Sequence, residues 1–258
     1  MKNALVLARK DFESYVHSWA GVLVSVFFLL IAGIFFSFFV LGYAKISLEA
    51  AKGAYETVQG LGLTRFVFSS FFLNMGSLLI FWVPLLSMRA FAEERKQETL
   101  ELLFTYPLSD FEIVWGKFLA LLGFLKMLLL PTLVYVLILS KLGGDLDWGP
   151  VAIGYAGFLL LGSAYLSLGL FISSLADSQI VSAIVTFGCL LIFWILDWVA
   201  GVTDGFWAHF FSALSPLDHF REFTFGVLDL SHIAYFVFFH FYFLFLTLRS
   251  IETRHWKG

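Results

Sequence analysis

Four side chains in the last fifth of the chain belong to types that bind metal ions: His209, Asp218, His219 and His232. Imidazole and carboxylate groups are ligands for Zn²⁺, and zinc peptidases carry two of them as H-E-x-x-H on one helical face. Here the local sequence is His-Phe-Arg-Glu from His219 to Glu222, without a second histidine four residues away. The pattern favours exposed interfacial histidines, and a membrane-embedded metalloenzyme remains an alternative.

The sequence also excludes ATP binding through a phosphate-binding loop and two kinds of cysteine chemistry. The pattern G-x-x-x-x-G-K-[ST] occurs nowhere, so the chain cannot bind ATP through a phosphate-binding loop. The single cysteine, Cys189, lies in an apolar run and can form neither an intrachain disulfide nor a cysteine metal cluster. We expect no cofactor and no catalytic residue in this chain.

A cluster of charge interrupts the apolar sequence at residues 93–101, where six of nine residues are charged against 14% of the whole chain. Leu100, Leu103 and Phe104 fall at i, i+3 and i+4, which predicts a short amphipathic helix. Pro107 should end this helix because proline lacks a backbone N–H.

The loop that contains this helix, residues 89–112, is longer than a simple connection requires. Helix connections commonly take about two to eight residues, whereas this one has about 24. Ser109 and Glu112 match a capping box, and Asp110 adds negative charge at the start of the next helix. The apolar stripe favours docking of a soluble partner; a solvated helical elbow without a role is the alternative.

Composition places these residues in a polytopic membrane protein. Of 258 residues 60% are hydrophobic, the mean hydropathy is +0.90, and a membrane helix needs about 20 apolar residues. We predict an all-α fold and a single domain, residues 1–258. The six predicted spans are Trp19–Ala44, Phe66–Met88, Ile113–Ser140, Pro150–Leu175, Ile180–Ala200 and Ser231–Leu248.

The basic residues predict the orientation of the spans. Segments predicted to lie inside carry ten Lys or Arg residues and those predicted to lie outside carry five. The positive-inside rule therefore places both termini in the cytoplasm, and we expect a multi-pass protein of the bacterial inner membrane.

Two segments outside the spans are also expected to contact the membrane. Residues 1–18 predict an amphipathic interfacial helix, with an apolar face that runs from Leu5 to Trp19. Residues 201–231 contain two short apolar pieces separated by Ser215 and Pro216, which predicts a re-entrant or interfacial hairpin on the outer side.

Ionisable residues within the spans suggest candidate transport positions. Lys126 lies near the middle of the third span, where it either extends toward the inner headgroups or lines a path or a dimer seam. Asp197 lies too far toward the outer surface to pair with it and is expected at the interface. An ion-driven secondary transporter would need inverted repeats and carboxylates near the midplane, and neither is evident.

Two stretches of the chain resemble the ABC-2 type permeases, the membrane subunits of ATP-binding-cassette transporters. The first, EERKQETLELLFTYPLSDFEIVWGKFLA at residues 93–120, resembles their first cytoplasmic loop, especially in the gliding-motility and nitrous-oxide-reductase maturation types. The second, LSPLDHFREFTFGVLDL at residues 214–230, resembles their outer segment before the last helix. Together with six spans, the resemblance covers essentially the whole chain.

The resemblance implies a coupling helix that rests on a separate ATPase subunit. The residues it assigns to this contact are Glu94, Glu98, Thr99, Leu100, Glu101, Leu103 and Pro107, with Asp177 in the turn at residues 176–179 as a second contact. The sequence departs from the family pattern at Glu98, where a glycine usually stands.

The resemblance further implies two ATPase copies, which bind ATP and Mg²⁺, and two permease copies. A homodimer is the first expectation, a heterodimer the alternative. Export of an unknown substrate and an accessory membrane protein with an outer domain are also expectations of the family.

Overall fold

The computed structural model describes residues 2–51, 62–96, 108–141 and 146–255. In these ranges the chain is α-helical and contains no β-strand, which confirms the predicted fold class. The helices are α1 Lys2–His17, α2 Trp19–Ala51, α3 Leu63–Ser87, α4 Ala92–Lys96, α5 Asp110–Leu129, α6 Leu133–Lys141, α7 Trp148–Leu175, α8 Gln179–Val202, α9 Phe206–Leu214, α10 Pro216–Thr224 and α11 Leu230–His255.

Within the described ranges, six helical segments are long and apolar enough to cross a membrane, and each overlaps one predicted span. They are Trp19–Glu49, Leu63–Lys96, Asp110–Lys141, Trp148–Leu175, Gln179–Val202 and Leu230–Thr253. The helices of the first and the last of these segments, α2 and α11, extend several residues beyond the predicted apolar spans. Helices continue through polar residues as long as backbone hydrogen bonding continues, so hydropathy underestimates their length.

Helix α7 forms the centre of the bundle. In its most apolar window 78% of the residues are buried, against 17% in α8 and in α11. Its small residues allow close packing, since a Cβ at Gly157 would lie 2.4 Å from the Cβ of Phe223 in α10. Lipid or partner contacts are thus left to the outer helices.

The third predicted span is not one continuous helix. It divides into α5 and α6 at a 3-10 turn, Leu130–Thr132, because Pro131 cannot donate a backbone hydrogen bond. The Thr132 hydroxyl donates to the carbonyl of Leu129 at 2.7 Å and lies 3.0 Å from the Tyr155 hydroxyl in α7. The break is therefore stabilised by the central helix.

Helices α9 and α10 form a hairpin at one end of the bundle, which we call the hairpin end. Ser215 caps α10 by accepting a hydrogen bond from the backbone N–H of Asp218 at 3.3 Å, and Pro216 occupies its first turn. Phe220 and Phe223 of α10 are fully buried against the bundle. The predicted location of this hairpin on the outer side of the membrane remains an expectation.

Helix α1 lies at the opposite end, together with α4 and the turn between α7 and α8; we call this the α1 end. Of the predicted apolar face, Leu5 and Trp19 are exposed, whereas Ala8 is buried. Ala4 and Leu7 are buried beside it.

The reason is that α1 packs along α5. Gly116 of α5 admits this contact, since a Cβ there would lie 2.9 Å from the backbone oxygen of Ala4. The helix thus packs on protein along the face that contains Ala4 and Leu7, and its predicted contact with the membrane surface stays a prediction.

Candidate coupling site

Two of the eight predicted coupling residues lie in the described parts of the chain, and both are at the α1 end. Glu94 lies on α4, and Asp177 lies in the turn between α7 and α8. The other six lie outside the described residues: Glu98, Thr99, Leu100, Glu101, Leu103 and Pro107. The predicted capping box at the end of the loop is confirmed, because Ser109 and Glu112 make its two reciprocal hydrogen bonds.

The start of α4 is fixed by a side chain from another helix. The hydroxyl of Ser173 in α7 accepts hydrogen bonds from the backbone N–H groups of Phe91 at 3.1 Å and Ala92 at 3.2 Å. The first N–H groups of a helix have no partner within it, so an external acceptor stabilises this end. Ser173 is fully buried, which keeps water from competing for these bonds.

Arg95 joins α4 to the C-terminal end of α7. Its guanidinium donates to the backbone carbonyls of Ser174 at 2.6 Å, Ala176 at 2.6 Å and Leu175 at 3.3 Å. The last carbonyls of a helix lack intrahelical partners and carry partial negative charge, so a cation stabilises them. Arg95 also contacts the Asp177 carboxylate at 3.0 Å, which brings the two predicted contact segments together.

Lys117 of α5 is the second connection. Its ammonium lies 2.7 Å from the Glu94 carboxylate and 3.3 Å from the Asp11 carboxylate of α1, with only 3% of the side chain exposed. It also lies 5.0 Å from the centroid of the Phe91 ring. One buried cation therefore links three separate elements, α1, α4 and α5.

Two further groups complete the site. Arg89 and Glu93 form a partly exposed ion pair at 3.5 Å, one helical turn apart. The phenol of Tyr15 in α1 packs 6.0 Å from the Phe124 ring, and burial, reinforced by the carboxylates of Asp11 and Glu94, raises its pKa above the usual value. The phenol therefore stays neutral at physiological pH.

These contacts connect α4 with α1, with α5 and with the C-terminal end of α7. The charged groups are paired as ions, at distances from 2.7 Å to 3.5 Å. Such an arrangement holds these segments at fixed distances from one another, because short charge-assisted contacts between buried groups resist extension.

Comparison with known proteins agrees with this architecture. The family model described as ABC-2 family transporter protein matches residues 5–249, nearly the whole chain. The chain belongs to the ABC-2 transporter family. It is a multi-pass membrane component of a transporter, and the family implies a partner subunit that binds ATP. A comparison with curated proteins gives no match.

Sequence reasoning missed the residues that hold this site of the ABC-2 protein together. Lys117 and Arg95 are two of the ten basic residues predicted to lie inside, and the sequence predicts no ion pair for either of them. Arg95 and its partners are separated by 79 to 82 residues in sequence. No local sequence pattern predicts contacts between residues so far apart in the chain. The run of charged residues at 93–101 is the feature that indicates a site here.

The other candidate residues lie elsewhere in the structure. Lys126 is exposed on α5, and its predicted role in a path or a dimer seam stays a prediction. Asp197 pairs with Arg221 of α10, at 3.1 Å. The rings of His219 and His232 meet, with their Nδ1 atoms 2.6 Å apart.

Asp218, also a candidate metal ligand, instead accepts a hydrogen bond from Ser212 and pairs with Arg221 at 3.0 Å. No cluster of three potential metal ligands is found in the ranges that the structure describes.

Proposed function

We propose that this chain is the permease subunit that couples ATP hydrolysis by a separate ATPase to the export of a substrate across the bacterial inner membrane. The observation that carries the proposal is the double attachment of α4, through Arg95 to the α7–α8 turn and through Lys117 to α1 and α5. The segment that enters the charged loop is thereby connected to the central helix of the bundle.

In this mechanism the ATPase contacts the loop at residues 97–107 and the exposed Asp177. ATP binding closes two ATPase copies, and each carries its docked loop with it. Arg95 and Ser173 transmit this movement to α7, while Lys117 transmits it to α5 and α1. The spans then rearrange and open a path. The permease itself makes and breaks no covalent bond.

The proposed assembly contains two permease copies related by a twofold axis, because the two ATPase copies form a twofold pair. A homodimer satisfies this symmetry with a single gene product. ATP and Mg²⁺ would be bound by the ATPase partner. The gliding-motility subtype, the cytoplasmic location of both termini and an accessory subunit with an outer domain belong to the same proposal.

The docking assignment is tested by reversing the charge of the loop. In a triple variant with Glu98→Lys, Glu101→Lys and Leu100→Asp, we expect loss of the co-purifying ATPase and of its stimulation by the permease. The reason is that both the charge and the apolar stripe of the contact are removed. Pull-down from membranes and ATP turnover by the purified complex measure the two effects.

As a control, a matched triple variant makes the same change in charge at positions outside the loop. Glu49→Lys, Asp204→Lys and Leu48→Asp alter exposed residues outside the α1 end, so this protein should retain the ATPase. If the loop variant also retains a stimulated ATPase, the loop is not the docking site.

A further inference from the structure

Lys126 lies at mid-height of the transmembrane bundle. In the apolar segment Asp110–Lys141, 16 residues precede it and 15 follow it. A second helix gives the same height, because the neighbouring Leu125 packs on Gly162 of α7, where a Cβ would lie 2.6 Å from a Leu125 methyl carbon. Gly162 is 14 residues from the first residue of α7 and 13 from the last. Lys126 therefore belongs to the middle of a hydrocarbon layer about 30 Å thick.

The ammonium group of Lys126 has no partner in the parts of the chain that the structure describes. The side chain is exposed, and neither a carboxylate nor an aromatic ring of these parts contacts it. The residues at spacings of three or four on the same face of α5, which we call the Lys126 face, are apolar: Trp115, Leu119, Leu122 and Leu130. The four-carbon stem of the lysine does not span the distance of about 15 Å to either headgroup layer.

An intramembrane lysine normally faces an opposite charge or a water-filled path, because an uncompensated charge in hydrocarbon is costly. A second copy of the chain does not supply the missing negative charge. In the six membrane-spanning segments every carboxylate lies within four residues of an end, with the exception of Asp197. Asp197 is already paired with Arg221 at 3.1 Å. Two copies of the Lys126 face brought together would instead oppose two lysines, so the compensating group must come from outside the permease.

We propose that Lys126 binds the carboxylate of an organic anion with an apolar body, and that the Lys126 face lines the path that opens in the proposed mechanism. The ammonium has three donors and a single positive charge, so one carboxylate balances it and leaves no net charge in the membrane. Leu122 and Leu130 lie one helical turn away on either side. They favour contact with carbon atoms over a hydrated inorganic ion.

The inference rests on the proposed function, because it names a chemical group of the transported molecule. Binding is measured on the purified full-length chain in phosphatidylcholine nanodiscs without any ATPase. The probe is 4-fluorobenzoate, followed by ¹⁹F NMR at pH 7.5 and constant ionic strength. The probes 4-fluorobenzylammonium and 4-fluorobenzamide have nearly the same size but carry a positive charge and no charge, and we expect them to bind at least about tenfold more weakly.

Three variants of the Lys126 face separate charge from shape. Lys126→Gln removes the charge, and Leu130→Glu keeps the lysine but gives it a carboxylate partner one turn away. Each should weaken 4-fluorobenzoate binding by about tenfold or more, because a charge-assisted contact is lost or already occupied. Lys126→Arg keeps the charge and the donors and should retain binding. Lys141→Gln, at an exposed lysine at the end of α6, is the matched control and should bind like the unmodified chain.

Equal affinity for the three probes would overturn the proposal, as would equal affinity of Lys126→Gln and Lys141→Gln for 4-fluorobenzoate. If Lys126→Gln does not fold, unchanged binding to Leu130→Glu is sufficient to reject it. Because no ATPase is present, failure here leaves the ATPase co-purification result intact. Loss of co-purification, in turn, would not alter the binding of the anion.

Discussion

Lys117 shows how a single buried residue holds the coupling site together. An ammonium with 3% of its side chain exposed is stable only when its charge is compensated, here by Glu94 and Asp11. Removing the cation leaves two carboxylates close together and partly buried. The cost is then the penalty for uncompensated charge rather than the value of one contact.

We therefore expect Lys117→Met to lower the free energy of unfolding by roughly 3–5 kcal/mol. Neutralising the partners as well, with Glu94→Gln and Asp11→Asn, should recover much of the loss. Lys126→Met is the matched control because this lysine lies exposed on the same helix, and its effect should be small. Thermal unfolding of the purified variants gives the comparison; similar losses for the two lysines would contradict the assigned role.

His219, at the hairpin end, makes the stability of the fold depend on pH. Its Nε2 donates to the carbonyl of Ala213 at 3.2 Å, so the Nδ1 of the neutral ring accepts from His232. Burial and the neighbouring His232 lower the pKa of His219 below its usual value of 6.5. Below pH 6.5 the unfolded chain therefore binds a proton that the folded chain resists, and stability falls with decreasing pH.

His219→Gln should accordingly reduce the difference in melting temperature between pH 7.5 and pH 5.5. The glutamine retains polar contacts but does not titrate in this range. His209→Gln is the control, because His209 is exposed in the neighbouring helix α9. Equal pH dependence of both variants and the unmodified chain would show that His219 is not the responsible group.

The helices show which features were accessible from the sequence. Apolar runs located all six spans because the requirement for about 20 apolar residues is local. The capping box at Ser109 was predictable for the same reason. Proline alone does not predict where a helix breaks, since Pro84 lies inside the continuous helix α3 whereas Pro131 divides α5 from α6.

The face of α1 that packs on protein is harder to predict from the sequence. Its apolar residues allow a lipid-facing stripe, and Gly116 and Gly123 of α5 admit the face that contains Ala4, Leu7 and Phe12. Hydropathy cannot distinguish lipid from protein as the apolar surroundings. The same limit applies to Asp197, whose partner Arg221 belongs to a helix 24 residues further along the chain.

At the scale of the whole molecule, the two polar assemblies lie at opposite ends of α8. The coupling site includes the turn before Gln179, and the ion pair of Asp197 with Arg221 lies near the other end of the same helix. In the proposed mechanism, energy from an ATPase would therefore enter at the α1 end, and the hairpin end would lie at the opposite membrane surface.

The proposed orientation is tested with single cysteines in a Cys189→Ser background. Asp177→Cys places a thiol in the exposed turn at the α1 end, and Asp204→Cys places one in the exposed segment at the hairpin end. In intact cells a membrane-impermeant maleimide should label Asp204→Cys strongly and Asp177→Cys only after lysis, since the lipid bilayer excludes the charged reagent. The reverse pattern would place the charged loop outside the cell, where no ATPase could dock.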